Sequence, residues 1–254
     1  MKLLLVSDLH YTLRHYDWVI SRSADYDAVV IAGDLLSVAA PVAPEAQIAA
    51  VRATLRKLSS TTRVFACSGN HDLNALNAAG EKTTDWFDVL ADCMVSDGAS
   101  ALVHDVLVTV LPWWDGPVAR GASEKILANV DRGAAARWIW VYHSPPESML
   151  SWTGSRHFGD PAVAEWIARW SPDAVLCGHI HQAPFAPDGS WVDRVGSTWV
   201  FNPGKQIGPC PTYLIFDLDK MSVEWVSLED QARQQLDVPA GGAISRPADA
   251  AAGA

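Results

Sequence analysis

The stretch Lys2-Leu3-Leu4-Leu5-Val6-Ser7-Asp8-Leu9-His10 governs the reading of the chain, because a short apolar run stops abruptly in residues that bind metals. The same arrangement recurs further on. Ala28-Val29-Val30-Ile31-Ala32 leads into Gly33-Asp34, and Val64-Phe65-Ala66-Cys67 leads into Gly69-Asn70-His71-Asp72. Trp138-Ile139-Trp140-Val141-Tyr142 ends at His143, and Ala174-Val175-Leu176-Cys177 ends at Gly178-His179-Ile180-His181. Runs this short, rich in β-branched and aromatic residues, fit strands buried on both faces. In open α/β sheets, ligands gather beyond the carboxyl ends of the strands, and every one of these polar clusters sits there.

The residue types suit a pair of divalent cations. Two such ions about 3.5–4 Å apart need a short carboxylate to bridge them, with neutral imidazoles and a carbonyl completing each shell. Asp34, after a glycine, is the natural bridge. In Asp8-x-His10 and His179-x-His181, a spacing of two puts both side chains on one side of an extended segment. Asn70 offers an amide oxygen. The adjacent His71 would point away from Asn70, which suits a general acid or a donor to the leaving oxygen, with Asp72 orienting its ring. Taken alone, each cluster is more often a strand cap or a surface pair than a metal site. Agreement among all of them in order and strand context carries the reading.

These motifs, Asp8-x-His10, Gly33-Asp34, Gly69-Asn70-His71-Asp72, His143 and Gly178-His179-x-His181, together resemble those of the calcineurin-like metallophosphoesterase superfamily. The resemblance implies a four-layer α/β/β/α sandwich with two central mixed β-sheets. It also implies a dinuclear centre, with one ion held by Asp8, His10, Asp34 and His181. The other would take Asp34, Asn70, His143 and His179, and a hydroxide shared by the ions would attack phosphorus. His71 matches the family's non-ligand histidine near the leaving group, so His71 and Asp72 are the candidate catalytic residues. The ions, Mn, Fe, Zn or Ni, are not distinguished by a nitrogen and oxygen donor set. The Gly-Asn-His-Asp form and the aromatic loops lean slightly toward a phosphodiester over a phosphomonoester. The alternatives are a non-catalytic metal-binding scaffold on the same fold, or a nuclease.

Composition agrees with a globular enzyme. In a chain of 254 residues, a hydrophobic share of 49% and a charged share of 19% lie far from the disordered class. The net charge of −10, with no Lys/Arg cluster, disfavours a nucleic-acid partner and leaves a small phosphorylated substrate. No segment is long and apolar enough for a membrane span, and Leu3 to Val6 is too short for a signal-peptide core, so a cytoplasmic location is expected. Cys67, Cys93, Cys177 and Cys210 show no Cys-x-x-Cys pairing and read as reduced residues.

Between the clusters, helices are expected over Leu13 to Ala24, Ala43 to Leu58 and Thr83 to Leu90, the last capped by Thr83 or Thr84. Asp160-Pro161 opens another that runs to Trp170. Val106 to Leu111 continues the sheet, and Trp191 to Phe201, Thr212 to Asp217 and Ser222 to Val226 read as strands of a second sheet. A phosphoesterase domain over 1–230 is expected, with 231–254 as a disordered tail that is Ala, Gly and Pro rich from Val238 onward. The twelve tryptophans mostly fit core positions. Trp113, Trp114 and Trp152 instead fall in loops and, with Arg156 and His157, are candidates for contact with substrate.

Overall fold

In the computed structural model, which describes residues 1–237, the opening run forms strand β1 (Lys2–Val6). Successive side chains of a strand leave on opposite faces. Leu3 and Leu5 therefore enter one apolar cluster, and Leu4 and Val6 another. Helix α1 (Leu13–Arg22) follows, then β2 (Ala28–Ala32), α2 (Pro44–Ser59) and β3 (Arg63–Cys67). A small hairpin joins β4 (Ala75–Leu76) to β5 (Lys82–Thr83), and a larger one joins β6 (Ser100–Val103) to β7 (Val106–Val110). The chain continues through α3 (Pro117–Asn129), β8 (Arg137–Val141), α4 (Pro161–Trp170), β9 (Ala174–Leu176), β10 (Val192–Val195) and β11 (Thr198–Phe201). It returns through β12 (Tyr213–Asp217), β13 (Ser222–Val226) and β14 (Gln231–Gln235).

Two mixed six-stranded sheets result, ordered β14-β13-β12-β1-β2-β3 and β10-β11-β9-β8-β7-β6. In the first, β1, β2 and β3 are parallel, with Leu4 opposite Val29 and Val30 opposite Phe65. In the second, β7, β8, β9 and β11 are parallel. Leu3, Leu5, Val30 and Phe65 from the first sheet share one buried cluster with Val108, Ile139, Leu176 and Phe201 from the second. The outer face of the first sheet is covered by Tyr16 and Val19 of α1 and by Val51 and Leu55 of α2. The second is covered by Leu127 of α3 and by Val163 and Trp166 of α4, packed on Trp138 and Trp140. The architecture is therefore the four-layer α/β/β/α sandwich. Among the described residues, no helix is long and apolar enough to cross a membrane.

Local chemistry explains most boundaries. Asp160 accepts the backbone N–H of Ala162 at 2.9 Å and Pro161 takes the first helical position, so α4 begins where its cap requires. The expected helix over Thr83 to Leu90 does not form. Thr83 belongs to β5, and only Asp88 to Leu90 winds into a single tight turn. Trp86 donates to the carbonyl of Asp72 at 2.9 Å and Asn74 to the carboxylate of Asp85, so tertiary anchors hold that segment irregular. The late strands also divide differently from the expectation: β10 and β11 extend the second sheet, whereas β12 pairs antiparallel with β1 in the first. The expected boundary at residue 230 moves, because Gln231–Gln235 pairs with β13 as an edge strand. The rest of the expected tail, 238–254, lies outside the described residues.

Candidate metal centre

The carboxyl ends of β1, β2 and β3 meet those of β8 and β9 at one end of the sandwich. Each cluster of polar residues leaves its strand there through a tight turn. The expected extended presentation of Asp8 and His10 does not hold, because Asp8, His10 and Tyr11 have φ of 54°, 42° and 56°. Asp34 at 54° and His179 at 67° share the left-handed region, which costs a non-glycine residue roughly 1–2 kcal/mol. Such strain persists only where the surroundings over-determine it. Here the two loops are laced by backbone bonds from Asp8 to Gly33 at 3.1 Å, His10 to Asp34 at 2.9 Å and Tyr11 to Leu35 at 2.9 Å. Gly178 is needed for close approach, since a Cβ there would lie 2.6 Å from Oδ2 of Asp8.

The side chains converge. Nε2 of His10 and Nε2 of His181 lie 3.1 Å apart, and Oδ1 of Asp8 is 3.1 Å from the latter. Oδ2 of Asp34 lies 3.3 Å from Nε2 of His143, 3.6 Å from Nε2 of His10 and 3.9 Å from Nε2 of His71. Three donor groups, Asp8–His10–His181, Asp34–His143–His179 and His10–Asp34–His71, each fall within 4.8 Å. Donors bonded to one cation at about 2.1 Å are spaced by about 3–3.5 Å, and the separations here run from 3.1 Å to slightly beyond that range.

Two atoms test whether a metal fits. Nε2 of His143 and Oδ1 of Asn70 are buried and have no hydrogen-bond partner among the described residues. Leaving such an atom unsatisfied costs about 1–3 kcal/mol. Both are lone-pair donors, and Nδ1 of His143 is already committed to the carbonyl of Ala32 at 2.7 Å, which leaves Nε2 free to ligate. The residues fit a cation.

Electrostatics prepare the same set. Burial opposes ionisation of Asp8, yet the hydrogen bond from His181 and the charge of His143 hold its carboxyl well below the usual range. Burial likewise opposes ionisation of Asp34, and His143 again outweighs it. Burial pushes His10 and His179 down to about 4, so both imidazoles are neutral at neutral pH and free to act as ligands. For His143 burial is outweighed by the charge of Asp34, which lifts the imidazole to about 9. A metal must displace that proton to enter.

His71 stands over this group, its ring centroid 4.5 Å from that of His10. Its Nδ1 accepts the backbone N–H of Val38 at 3.2 Å, which assigns the proton to Nε2. Asp72 does not orient that ring, contrary to expectation. Its fully buried carboxylate accepts the N–H groups of Leu36 at 2.8 Å, Gly69 at 2.8 Å and Leu35 at 3.2 Å. Burial first, and then the charge of Asp34, push it up to about 7. Asp72 is thus a brace between the Asp34 and Asn70 loops.

Of the expected substrate contacts, only Trp113 is brought to the cluster, its ring 5.2 Å from that of His179 and 5.6 Å from that of His143. Trp114 turns into the protein, donating to Asp160 at 3.0 Å under the guanidinium of Arg120. Trp152 donates to the carbonyl of Pro187 at 2.9 Å and packs on His157, whose Nδ1 lies 3.0 Å from the carbonyl of Ser148. Arg156 lies over Phe158 and is exposed. Outside the Trp152–His157 pair, these contacts are with Asp160, Arg120, Pro187, Ser148 and Phe158 and not with the candidate metal-ligand side chains. Sequence reasoning missed Lys205, whose backbone donates to the carbonyl of His181 at 3.1 Å and whose charge acts on Asp8, Asp34 and His10. The one signal for it was its place after the Asn202-Pro203-Gly204 turn, in which Gly204 has φ of 69° and donates to Oδ1 of Asn202 at 2.8 Å.

Comparison with known proteins gives this arrangement a family. A search of curated proteins returns no match. Among solved structures, TT1561 of Thermus thermophilus is similar over 92% of this chain and 98% of its own, with 17% identity and a TM-score of 0.56. Purple acid phosphatase PPD1 from yellow lupin seeds is similar over 96% of this chain and 57% of its own, with 16% identity and a TM-score of 0.57. At such identities these likenesses speak for the fold alone. The profile of the calcineurin-like phosphoesterase superfamily domain matches residues 1–221, which contain every strand tip described above, and the chain belongs to that superfamily.

Proposed function

We propose that this protein hydrolyses a small phosphoester at a dinuclear metal centre. The observation that carries the reading is the pair of buried, unpartnered donors, Nε2 of His143 and Oδ1 of Asn70, set among ionised carboxylates and neutral imidazoles. Asp8, His10, Asp34 and His181 would hold one cation, and Asp34, Asn70, His143 and His179 the other. When bound, two divalent ions lower the pKa of a water and take up charge developing on phosphoryl oxygens. Asp34 lies within reach of both sets, and its Oδ1 also accepts the backbone N–H of His71 at 2.9 Å, tying the general acid to the bridge.

The Nε2–H of His71 points to the cluster and serves the leaving oxygen. Trp113 on one side, and on the other Val38, 76% exposed beside His71, would flank the alcohol part of the substrate. The acidic balance favours a small substrate over nucleic acid, and a cytoplasmic setting suits the free thiols of Cys67, Cys93, Cys177 and Cys210.

The test is hydrolysis of p-nitrophenyl phosphate and bis-p-nitrophenyl phosphate by protein supplied with Mn²⁺, with elemental analysis of the same sample. Turnover of either ester, lost on chelation and regained with metal at about two ions per chain, is expected. A protein that takes up two ions per chain but cleaves neither ester, nor any of a panel of phosphorylated metabolites, would be a scaffold and not a hydrolase.

A further inference from the structure

Lys205 is half-buried, yet no carboxylate lies within 4.0 Å of its ammonium among the described residues. Its backbone is fixed to the carbonyl of the ligand His181 at 3.1 Å, immediately after Gly204. A Cβ at Gly204 would lie 2.6 Å from Pro184 and 2.9 Å from the same His181 carbonyl, so the turn seats Lys205 tightly against the ligand loop. Burial lowers its pKa, while Asp8 and Asp34 act in the opposite direction. Its own charge in turn lowers those of His10 and His15.

A lysine in this position has no stable partner once the proposed ions are in place. Two divalent cations outweigh the charges of Asp8 and Asp34, so the loaded centre is positive and repels a third cation beside it. An anion lying between Lys205 and the centre reverses the sign of that interaction. A phosphomonoester supplies a second negative charge on a free oxygen, whereas a diester has spent that oxygen on its second ester bond.

We propose that Lys205 is a substrate-binding residue that holds a terminal phosphoryl oxygen, and that it makes the site selective for dianionic phosphomonoesters over monoanionic diesters. This rests on the hydrolase reading above and reverses the slight sequence-based lean toward diesters. Inorganic phosphate, the product of monoester cleavage, meets the same lysine.

The test uses the full chain loaded with Mn²⁺, as wild type, Lys205→Met and Lys205→Arg, with metal content measured on each. Phosphate binding is read by calorimetry, and kcat/KM with p-nitrophenyl phosphate and with bis-p-nitrophenyl phosphate. Lys205→Met should keep its metals, weaken phosphate at least about tenfold and lower kcat/KM on the monoester by a similar factor. On the diester it should lose less than about threefold, and Lys205→Arg should recover most of what is lost. Equal losses on both esters, or phosphate affinity unchanged in Lys205→Met, would overturn the assignment, as would a loaded wild type that binds no phosphate. If the loaded wild type cleaves neither ester but binds phosphate in a Lys205-dependent way, the anion site stands and the hydrolase reading falls.

Discussion

Nδ1 of His143 donates to the carbonyl of Ala32 across 2.7 Å, joining the tip of β8 to the tip of β2 in the facing sheet. One bond therefore spans the sandwich, sets the tautomer of a candidate ligand and fixes the distance between the two halves of the centre. The contact is possible because the next residue, Gly33, has φ of 84° and no side chain.

Gly33→Ala tests that dependence. A Cβ at this position falls on the His143 ring, and φ of 84° is a conformation that alanine adopts at a cost of about 1–2 kcal/mol. The variant should fold with a Tm lowered by several degrees and bind fewer than two ions per chain. Thermal denaturation and elemental analysis check it. A variant with unchanged metal content would show that the Ala32 contact does not position His143.

Asp34→Asn should have a larger effect on loading than the loss of any other ligand. Oδ2 of Asp34 faces both His10 and His143, and the neutral amide removes the charge that lifts His143 to about 9. Metal content near zero is expected, with kcat/KM lower by about 10³-fold or more. Retention of two ions per chain after dialysis would refute the bridging role of Asp34.

How much of this was readable from the sequence differs by the range of the interaction involved. Strand tips and their donors were legible because a buried run followed by Asp-x-His or Gly-His-x-His is local. The left-handed turns at Asp8 and His10 were not, because they depend on backbone bonds to the Gly33 to Leu35 loop, nor was that at His179, whose N–H donates to the distant Asp8 carboxylate. Asp72 was misread for the same reason, its partners Leu35 and Leu36 being distant in sequence. The loop residues Trp114, Trp152, Arg156 and His157 drew attention by type, but Asp160 and Pro187 decide where the two indoles point. Helix α3 was passed over because it buries little, with Ser123 and Leu127 its only fully covered residues. Strand β14 was passed over because an edge strand of Gln-Ala-Arg-Gln-Gln pairs through its backbone and shows no apolar alternation.

Stability should carry a pH signature from Asp97. Its Oδ1 accepts the N–H of Ser68 at 2.8 Å, just before the Gly69-Asn70 turn, and burial pushes its carboxyl up to about 6. The folded pKa is above the unfolded value of about 3.9, so the folded state holds the proton more tightly. This group therefore costs nothing below about pH 4, and stability falls as pH rises from about 4 to 6, with the deficit persisting above. Asp97→Asn, which keeps an acceptor for Ser68, should gain about 1 kcal/mol over wild type at pH 8 and little at pH 4, read by denaturant unfolding. A difference independent of pH would rule out titration of Asp97 as its source.

The last prediction concerns the proton on His71. Because the Val38 N–H points at Nδ1, the neutral ring carries its proton on Nε2, facing the cluster, where it can pass to a departing alkoxide. A nitrophenolate leaves readily without that help, whereas a simple alkyl phosphate does not. General acid catalysis is commonly worth about 10²–10⁴-fold, so His71→Ala should lose about 10²-fold on an alkyl phosphate but under about fivefold on p-nitrophenyl phosphate. Metal content should stay near the wild-type value, since His71 lies outside both proposed ligand sets. Val38→Pro removes the N–H that fixes the ring and should reproduce part of the alkyl-selective loss. Equal losses on the two esters, or loss of metal from His71→Ala, would assign His71 to binding or ligation instead.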